Sequence, residues 1–151
     1  MPIPDQAYAE LLQQLLHGHV PAAKFMGIAL EAYDGRTLSL TAPFGPNRNM
    51  HQTAFAGSLF SIAALSVWGL LYLKLREAGQ EPNIVISKSE ISYKQPVVQN
   101  IRATASIPDT ASFEHFLKTV AAHQQSKITL DSKIMAGQRV AVDFQGTLVV
   151  S

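Results

Sequence analysis

The sequence predicts an α+β fold in which a curved antiparallel sheet wraps around one long central apolar helix. Three observations predict it. Residues 54–73 contain no charged side chain, so a helix there is apolar on every side. Several later segments alternate between apolar and polar residues, as strands with one buried face do. Most of these segments follow one another without a helix between them, which favours antiparallel pairing.

Length and composition limit the classes of protein that this chain can belong to. Its 151 residues are about one domain's worth, and no linker, repeat or low-complexity run divides them, so we expect a single domain over residues 1–151. Apolar residues make up 47% and charged residues 15%, well below the roughly 25% charged residues of an average soluble domain. This composition excludes a disordered chain and indicates that much surface is hidden in a core, an oligomer interface or a membrane.

Charge, cysteine content and the first residues exclude further classes. The net charge is +1 and the Lys and Arg residues are scattered, so no basic face for nucleic acid is expected. Cysteine is absent, which excludes disulfides, thiolate nucleophiles and Cys-type zinc sites. The first residues carry no basic segment of a secretory signal, so we expect a cytoplasmic location.

The first third of the chain predicts a helix followed by a hairpin. A helical stripe of leucines indicates an amphipathic helix over residues 6–17, with Asp5 as its N-cap. A short turn opened by Pro21 follows. Two alternating segments, residues 26–30 and 38–42, lie on either side of a turn and predict a β-hairpin.

The apolar segment 54–73 has two interpretations. Its length just reaches the roughly 20 residues that a membrane span needs. Serines dilute its apolarity, however, and Gly57 and Gly69 favour close packing. The strands that follow also need an apolar partner, and this helix is the natural one. The sequence therefore favours a buried core helix, with a membrane-anchored protein as the alternative.

The second half of the chain predicts four strands and one short helix. The helix is expected to be capped near residues 109–112 and to follow the second of these strands. A sheet with free edge strands and a weakly charged exterior favours a homodimer that pairs edge to edge, or a homotetramer built from two such dimers. The apolar alternation marks the strands at residues 84–93, 101–107, 128–134 and 140–150.

The loop of residues 47–53 contains the densest group of polar side chains and stands immediately before the apolar helix. The first backbone N–H groups of a helix have no internal acceptor, and the helix dipole places partial positive charge there. Ala56, Gly57 and Ser58 are small enough for a ligand to approach those groups. They could hold a carbonyl oxygen that becomes negative during acyl transfer, at about 3–4 kcal/mol for each donor. The alternative is a polar loop whose side chains merely cap the helix.

Four motifs of the chain match one family pattern. They are Asn-x-His-x-Thr-Ala-Phe at residues 49–55, Gly-Ser-Leu at 57–59, Trp-Gly-Leu-Leu at 68–71 and Ile-x-Tyr-x-x-Pro at 91–96. With the order of predicted elements, they resemble the hotdog-fold acyl-CoA thioesterase superfamily. The closer resemblance is to the small thioesterase domain that also occurs fused to acetyltransferase domains. It covers nearly the whole chain and implies hydrolysis of an acyl thioester of coenzyme A or acyl carrier protein. Coenzyme A would enter only as part of the substrate, with no other cofactor and no metal.

The resemblance also implies roles for individual residues. Asn49 would orient the thioester or the attacking water, and the N–H of Ala56 or Gly57 would bind the carbonyl oxygen. Thr53 keeps the family's spacing between Asn49 and Gly57. The chain departs in three places from the pattern of one branch of the superfamily. Phe55 stands where that branch has His, and Ala56 stands where it has the first of two Gly residues. The carboxylate expected inside the helix would fall at position 64, which is alanine.

Other side chains near the loop could complete the chemistry. His51 could activate water as a general base, because an imidazole titrates in the useful range, and the alternative is an exposed loop histidine. Ser58, Ser61 and Ser66 could act as nucleophiles or bind water, and the alternative for all three is close packing. We expect Thr53, Phe55, Ser58 and Ser61 to contact substrate.

Four further possibilities remain open from the sequence. The alanine at position 64 favours a module that binds acyl thioesters without hydrolysing them, and a hydratase of the same fold is another alternative. His17 and His19 could hold a metal, although a helix end is the more common explanation of such a pair. Four basic residues could meet the phosphates of coenzyme A or could simply be solvated surface charges: Lys74, Arg76, Lys94 and Arg102.

Overall fold

A computed structural model describes residues 5–81 and 83–151, with side chains from residue 7 onward, so the predicted cap Asp5 lies outside the described side chains. The described part contains four α-helices, six strands and a 3₁₀ turn over Gly45–Asn47. The helices are α1 (Asp5–His19), α2 (Pro21–Met26), α3 (Ala56–Glu77) and α4 (Thr110–Ala121). The strands are β1 (Ala29–Tyr33), β2 (Thr37–Ala42), β3 (Ile84–Tyr93), β4 (Ile101–Ser106), β5 (Ser126–Ala136) and β6 (Arg139–Val150).

The six strands form one antiparallel sheet in the order β1-β2-β4-β5-β6-β3. The sheet curves around α3, which packs against β2, β3, β4, β5 and β6. The predicted α+β architecture of an antiparallel sheet around one long helix is therefore confirmed. β1 and β3 are its edge strands, and β3 pairs with β6 and not with β4, the strand that follows it in the chain.

Helix α3 is the centre of the hydrophobic core. Ile62 and all of its leucines except Leu65 are buried in the core, as the apolar sequence predicts. Gly69 permits a close approach, because a Cβ there would lie 2.9 Å from Leu38 Cδ2 and 3.0 Å from Leu12 Cδ2. With a mean hydropathy of 1.7, α3 could cross a membrane by length and composition, but more than half of that apolar segment is buried inside the domain. We conclude that α3 is the central core helix and not a clear membrane span.

One local prediction is wrong. Met26 and Ile28 were expected in the first strand of the hairpin, but Met26 ends α2 and β1 begins at Ala29. The reason is Gly27, whose φ of 74° ends α2 in the left-handed conformation and whose missing Cβ leaves room for the ring of Pro43. The strand predicted at residues 84–93 is present as β3, and a bulge between Ile86 and Lys88 shifts its register against β6.

Helix α1 docks on β1 through two side chains of its last turns. The Gln13 side-chain oxygen accepts the N–H of Leu30 at 2.8 Å, and His17 Nε2 donates to the carbonyl oxygen of Ile28 at 2.8 Å. His17 and His19 lie at the end of α1, as the helix-end interpretation expects. A contact between helix and strand therefore accounts for His17.

Candidate active site

The loop between β2 and α3 is organised by a buried asparagine that the sequence did not single out. Asn47 is 1% exposed, and its amide nitrogen donates to the carbonyl oxygens of Met26 and Pro43, each at 2.8 Å. Its own carbonyl oxygen accepts the N–H of Phe55 at 2.7 Å. Asn47 thus joins the end of α2, the end of β2 and the residue that begins α3. Its side-chain oxygen is buried and has no partner among the described residues.

The next turn of this loop folds around Asn49. The Asn49 side-chain oxygen accepts the N–H groups of His51 and Thr53 at 2.8 and 3.2 Å, and its amide nitrogen donates to Thr53 Oγ1 at 2.8 Å. Gln52 takes a left-handed backbone with a φ of 62°. The side chains of Asn49 and Thr53 therefore bond to each other and to the loop backbone, which shapes the entry to α3.

The first turn of α3 is not capped by a side chain. Phe55 is the N-cap residue and makes no capping hydrogen bond with its side chain, and the first backbone bond of the helix runs from the Leu59 N–H to the Phe55 carbonyl at 3.0 Å. The N–H groups of Ala56, Gly57 and Ser58 precede that bond and have no acceptor within the helix. The alternative prediction, that polar side chains of the loop cap α3, is not what the structure has. The turn can instead donate to a ligand.

A groove of about 280 Å³ runs beside this turn. The Ala54 N–H donates to the Val97 carbonyl at 2.7 Å, and Tyr93 Oη donates to the Ala56 carbonyl at 3.2 Å, so both of its walls are tied to the start of α3. Lys94 on the rim forms an ion pair with a carboxylate of β6 at 3.5 Å. The groove is lined by Asn49, Ala54, Ala56, Leu59, Tyr93, Lys94, Gln95, Pro96 and Val97.

The ring of Phe55 lies against Gly57 on the outside of the first turn. A Cβ at Gly57 would lie 2.5 Å from Cε2 of that ring, so only glycine allows the contact in this rotamer. The Phe55 side chain is nevertheless 55% exposed. Phe55 and Tyr93 together place two partly exposed aromatic rings beside the free N–H groups.

Several of the remaining predicted site residues do not line the groove. His51 is exposed on the loop, and its backbone N–H is used by Asn49. Ser58 is buried at the start of α3, and Ser61 donates to the Gly57 carbonyl at 2.8 Å. Ser66 is fully buried and bonded to Ser132 on β5 at 2.7 Å, which gives it a packing role. The structure thus brings Asn49 and Ala56 into one groove and keeps Ser66 away from it.

The four basic residues considered for coenzyme A each have a carboxylate partner. This pairing favours the surface-charge interpretation, because each charge is already compensated at the surface. The pairs are Lys74 with Glu77 at 2.9 Å, Arg76 with Glu81 at 2.6 Å, Lys94 with Asp143 at 3.5 Å and Arg102 with Glu31 at 2.8 Å.

Comparisons with known proteins agree with this geometry. Residues 9–151 match a family model described as "Putative thioesterase (yiiD_Cterm)". A protein of unknown function from Chlorobaculum tepidum is 35% identical, with a TM-score of 0.90 over 97% of this chain and 95% of that one. A "putative thioesterase" from Shewanella oneidensis is 28% identical, with a TM-score of 0.88 over 95% and 97% of the two chains. A "probable thioesterase" from Pseudomonas aeruginosa, 19% identical over 99% and 97% of the chains, shares the fold with a TM-score of 0.80.

Proposed function

The chain belongs to this thioesterase family of the hotdog fold, and from that premise we propose that it hydrolyses an acyl thioester carried by coenzyme A or by acyl carrier protein. The proposal rests on the first turn of α3, which no side chain caps and which lies beside an apolar groove. A thioester needs such donors, because its carbonyl oxygen becomes negative when a nucleophile adds to the carbonyl carbon.

The proposed reaction has two steps, addition of water and loss of the thiol. A water oxygen adds to the thioester carbonyl carbon, and the resulting oxyanion accepts hydrogen bonds from the N–H groups of Ala56 and Gly57. The C–S bond then breaks, the acid is released, and the leaving thiolate takes the proton that the water gave up. Asn49 orients the thioester or the water from the groove wall, and His51 is the proposed base that carries the proton.

The absence of a carboxylate between Ala56 and Lys74 of α3 supports giving the base role to a loop residue. Position 64, where the superfamily branch has an acid, is a half-buried alanine, and the helix has no acidic residue before Glu77. A positioned base typically contributes 10²–10⁴-fold in rate. The same observation favours a second candidate function, namely a module that binds acyl thioesters without turning them over.

Hydrolysis by the purified protein tests the proposal and separates the two candidates. We expect turnover of acyl-CoA thioesters, measured by the release of the free thiol. His51→Ala should lose about tenfold or more in kcat/KM. Saturable binding of acyl-CoA without any turnover would transfer the assignment to the binding module.

The paired substitutions Asn49→Ala and Asn49→Asp distinguish a substrate contact from loop folding. Asn49→Asp keeps an oxygen for the N–H groups of His51 and Thr53, whereas Asn49→Ala removes all three loop bonds. If the amide nitrogen contacts substrate or water, both variants should lose about 10-fold or more in kcat, since a hydrogen bond to a charged transition state typically contributes 1.5–3 kcal/mol. Thr53→Ser, which keeps the hydroxyl partner of that nitrogen, is the control and should retain most activity. Full activity in Asn49→Asp would assign Asn49 to loop folding alone.

A homodimer is the second part of the proposal, with a dimer of dimers as the larger assembly. One face of α3 is incompletely covered, and its Trp68 and Tyr72 rings stack 5.2 Å apart on that face. On the neighbouring edge strand β3, Val85 is 52% exposed. An edge strand beside an apolar helix face is the kind of surface that a second copy covers.

The cytoplasmic location stays a prediction.

Sedimentation of a β3 variant tests the dimer. We expect the wild-type chain to sediment at twice the 16.4 kDa of one chain, and Val85→Lys to shift it toward the monomer, because a charged side chain on an edge strand opposes pairing. Val98→Lys is the control, since Val98 is also exposed, at 63%, but lies in the loop before β4. A monomeric wild-type chain would remove this part of the proposal.

A further inference from the structure

We propose that the groove beside α3 holds the acyl end of the thioester, that the preferred acyl groups are aliphatic and contain about six carbons or fewer, and that Leu59 sets this limit. The inference rests on the proposed function and adds to it a class of acyl group and a residue that determines specificity. It depends on three features of the groove: its apolar floor, its size and the position of Leu59 relative to the free N–H groups.

The floor of the groove is apolar while its rim is polar. Ala54, Leu59 and Val97 are exposed by 6%, 4% and 0% respectively, and they form the floor. Polar side chains, among them Lys94 and Gln95, stand at the rim. The carrier arm of a thioester contains amide groups, which would lose hydrogen bonds to water against such a floor, whereas an aliphatic chain loses none. The floor therefore suits the acyl end and not the carrier end.

The size of the groove limits the chain. Its volume of about 280 Å³ is at the lower end of pockets that enclose drug-sized ligands, which span roughly 300–1,000 Å³. Leu59 follows Ala56 by three residues, so the two lie on the same side of α3, separated by about 4.5 Å along the helix axis. A carbonyl bound at the Ala56 N–H thus has room for a few carbon–carbon bonds before the chain meets the Leu59 side chain.

Two hydrogen bonds tie the walls of the groove to the start of α3. The backbone bond from Ala54 to Val97 and the Tyr93 hydroxyl bond to Ala56 join the segment after β3 to both sides of the start of α3. The ion pair of Lys94 holds the rim to β6. A chain that continues along the floor meets Leu59, which is already packed in the core, so extending it further along the floor requires displacing that side chain.

The test measures kcat/KM for straight-chain acyl-CoAs of two to twelve carbons with the wild-type protein and Leu59→Ala. We expect the wild-type optimum at six carbons or fewer, and in Leu59→Ala an optimum two or three carbons longer, because three side-chain carbons are removed. Each additional methylene that the enlarged groove accepts should raise kcat/KM about fourfold relative to the wild type. Leu59→Phe should shift the optimum in the opposite direction, toward acetyl.

Leu70→Ala is the matched control, because Leu70 lies on the same helix, is fully buried and does not line the groove. It should lose stability without any shift in the chain-length profile. An unchanged profile in both Leu59 variants, or a wild-type optimum at ten carbons or more, would overturn the inference while leaving the proposed function intact. If no acyl-CoA is hydrolysed, the proposed function fails. The affinities of the same acyl-CoAs for the same variants then decide the inference, with the same shift expected in Kd.

Discussion

Replacing Ala56 by proline should lower kcat about 10²–10³-fold and leave the fold intact. Proline removes the backbone N–H of residue 56, which is one of the two donors proposed for the thioester oxyanion, and loss of one such donor typically has this effect. The first position of a helix tolerates proline, since its N–H is not used within the helix. Phe55, with φ −64° and ψ 132°, already has the extended backbone that proline requires of the preceding residue.

The measurement compares steady-state kinetics with the thermal midpoint of unfolding. Thr110→Pro is the control, because Thr110 is the first residue of α4 and its helix does not line the groove. We expect both variants to unfold near the wild-type temperature, and only Ala56→Pro to lose kcat. Wild-type kcat in a folded Ala56→Pro protein would show that the N–H of residue 56 does not bind the oxyanion.

Replacing Asn47 by alanine should destabilise the domain by about 3 kcal/mol. The change leaves the part-buried carbonyl oxygens of Met26 and Pro43 without their donor, and each unsatisfied group typically costs about 1–3 kcal/mol. Urea unfolding at neutral pH measures the loss. A variant within about 0.5 kcal/mol of the wild type would show that the loop can rearrange to satisfy both carbonyls.

Asn47→Asp should be less stable than Asn47→Ala at neutral pH. The difference in their free energies of unfolding should shrink or change sign in acid. Burial next to two carbonyl oxygens would raise the pKa of the introduced carboxyl above its usual value of about 3.9. A group with a raised pKa in the folded state is favourable to folding below its unfolded pKa, and this contribution is lost as the pH rises through the folded pKa. The difference between the two variants, measured from pH 3.5 to pH 7, should therefore grow with pH. A constant difference would mean that residue 47 is hydrated.

The sequence could predict most of the fold because periodicity reports burial. The uncharged segment became α3, the alternating segments became strands, and Asp109 caps α4 by accepting the N–H groups of Ala111 and Ser112. The pairing of β3 with β6 could not be predicted, since alternation shows which face of a strand is buried but not which strand lies beside it. The segment around Gly27 was predicted incorrectly. A helix that ends there leaves the apolar residues Met26 and Ile28 two positions apart, which is also the spacing of residues on one face of a strand.

The site was only partly visible in the sequence for a related reason. Local order along the chain placed Asn49 next to the free N–H groups of Ala56 and Gly57. It did not show that Asn49 also folds its own loop, because an asparagine can bond to substrate and to nearby backbone alike. Asn47 stood in the same polar loop, but only the three-dimensional contact with the end of α2 distinguishes it. In the sequence alone, Leu59 is an ordinary core leucine. Only the fold shows that residues 93–97 lie beside it and form a groove with it.

The place of β6 in the sheet has a consequence for how the protein is made. A ribosome completes α3 and β3 well before it reaches β6, yet β6 is the strand that joins β3 to the rest of the described sheet. Until then the nascent chain presents a long apolar helix without much of the surface that covers it. Folding of the domain must therefore wait for the last strand in chain order, and the unfinished chain is the form most exposed to aggregation and most dependent on chaperones.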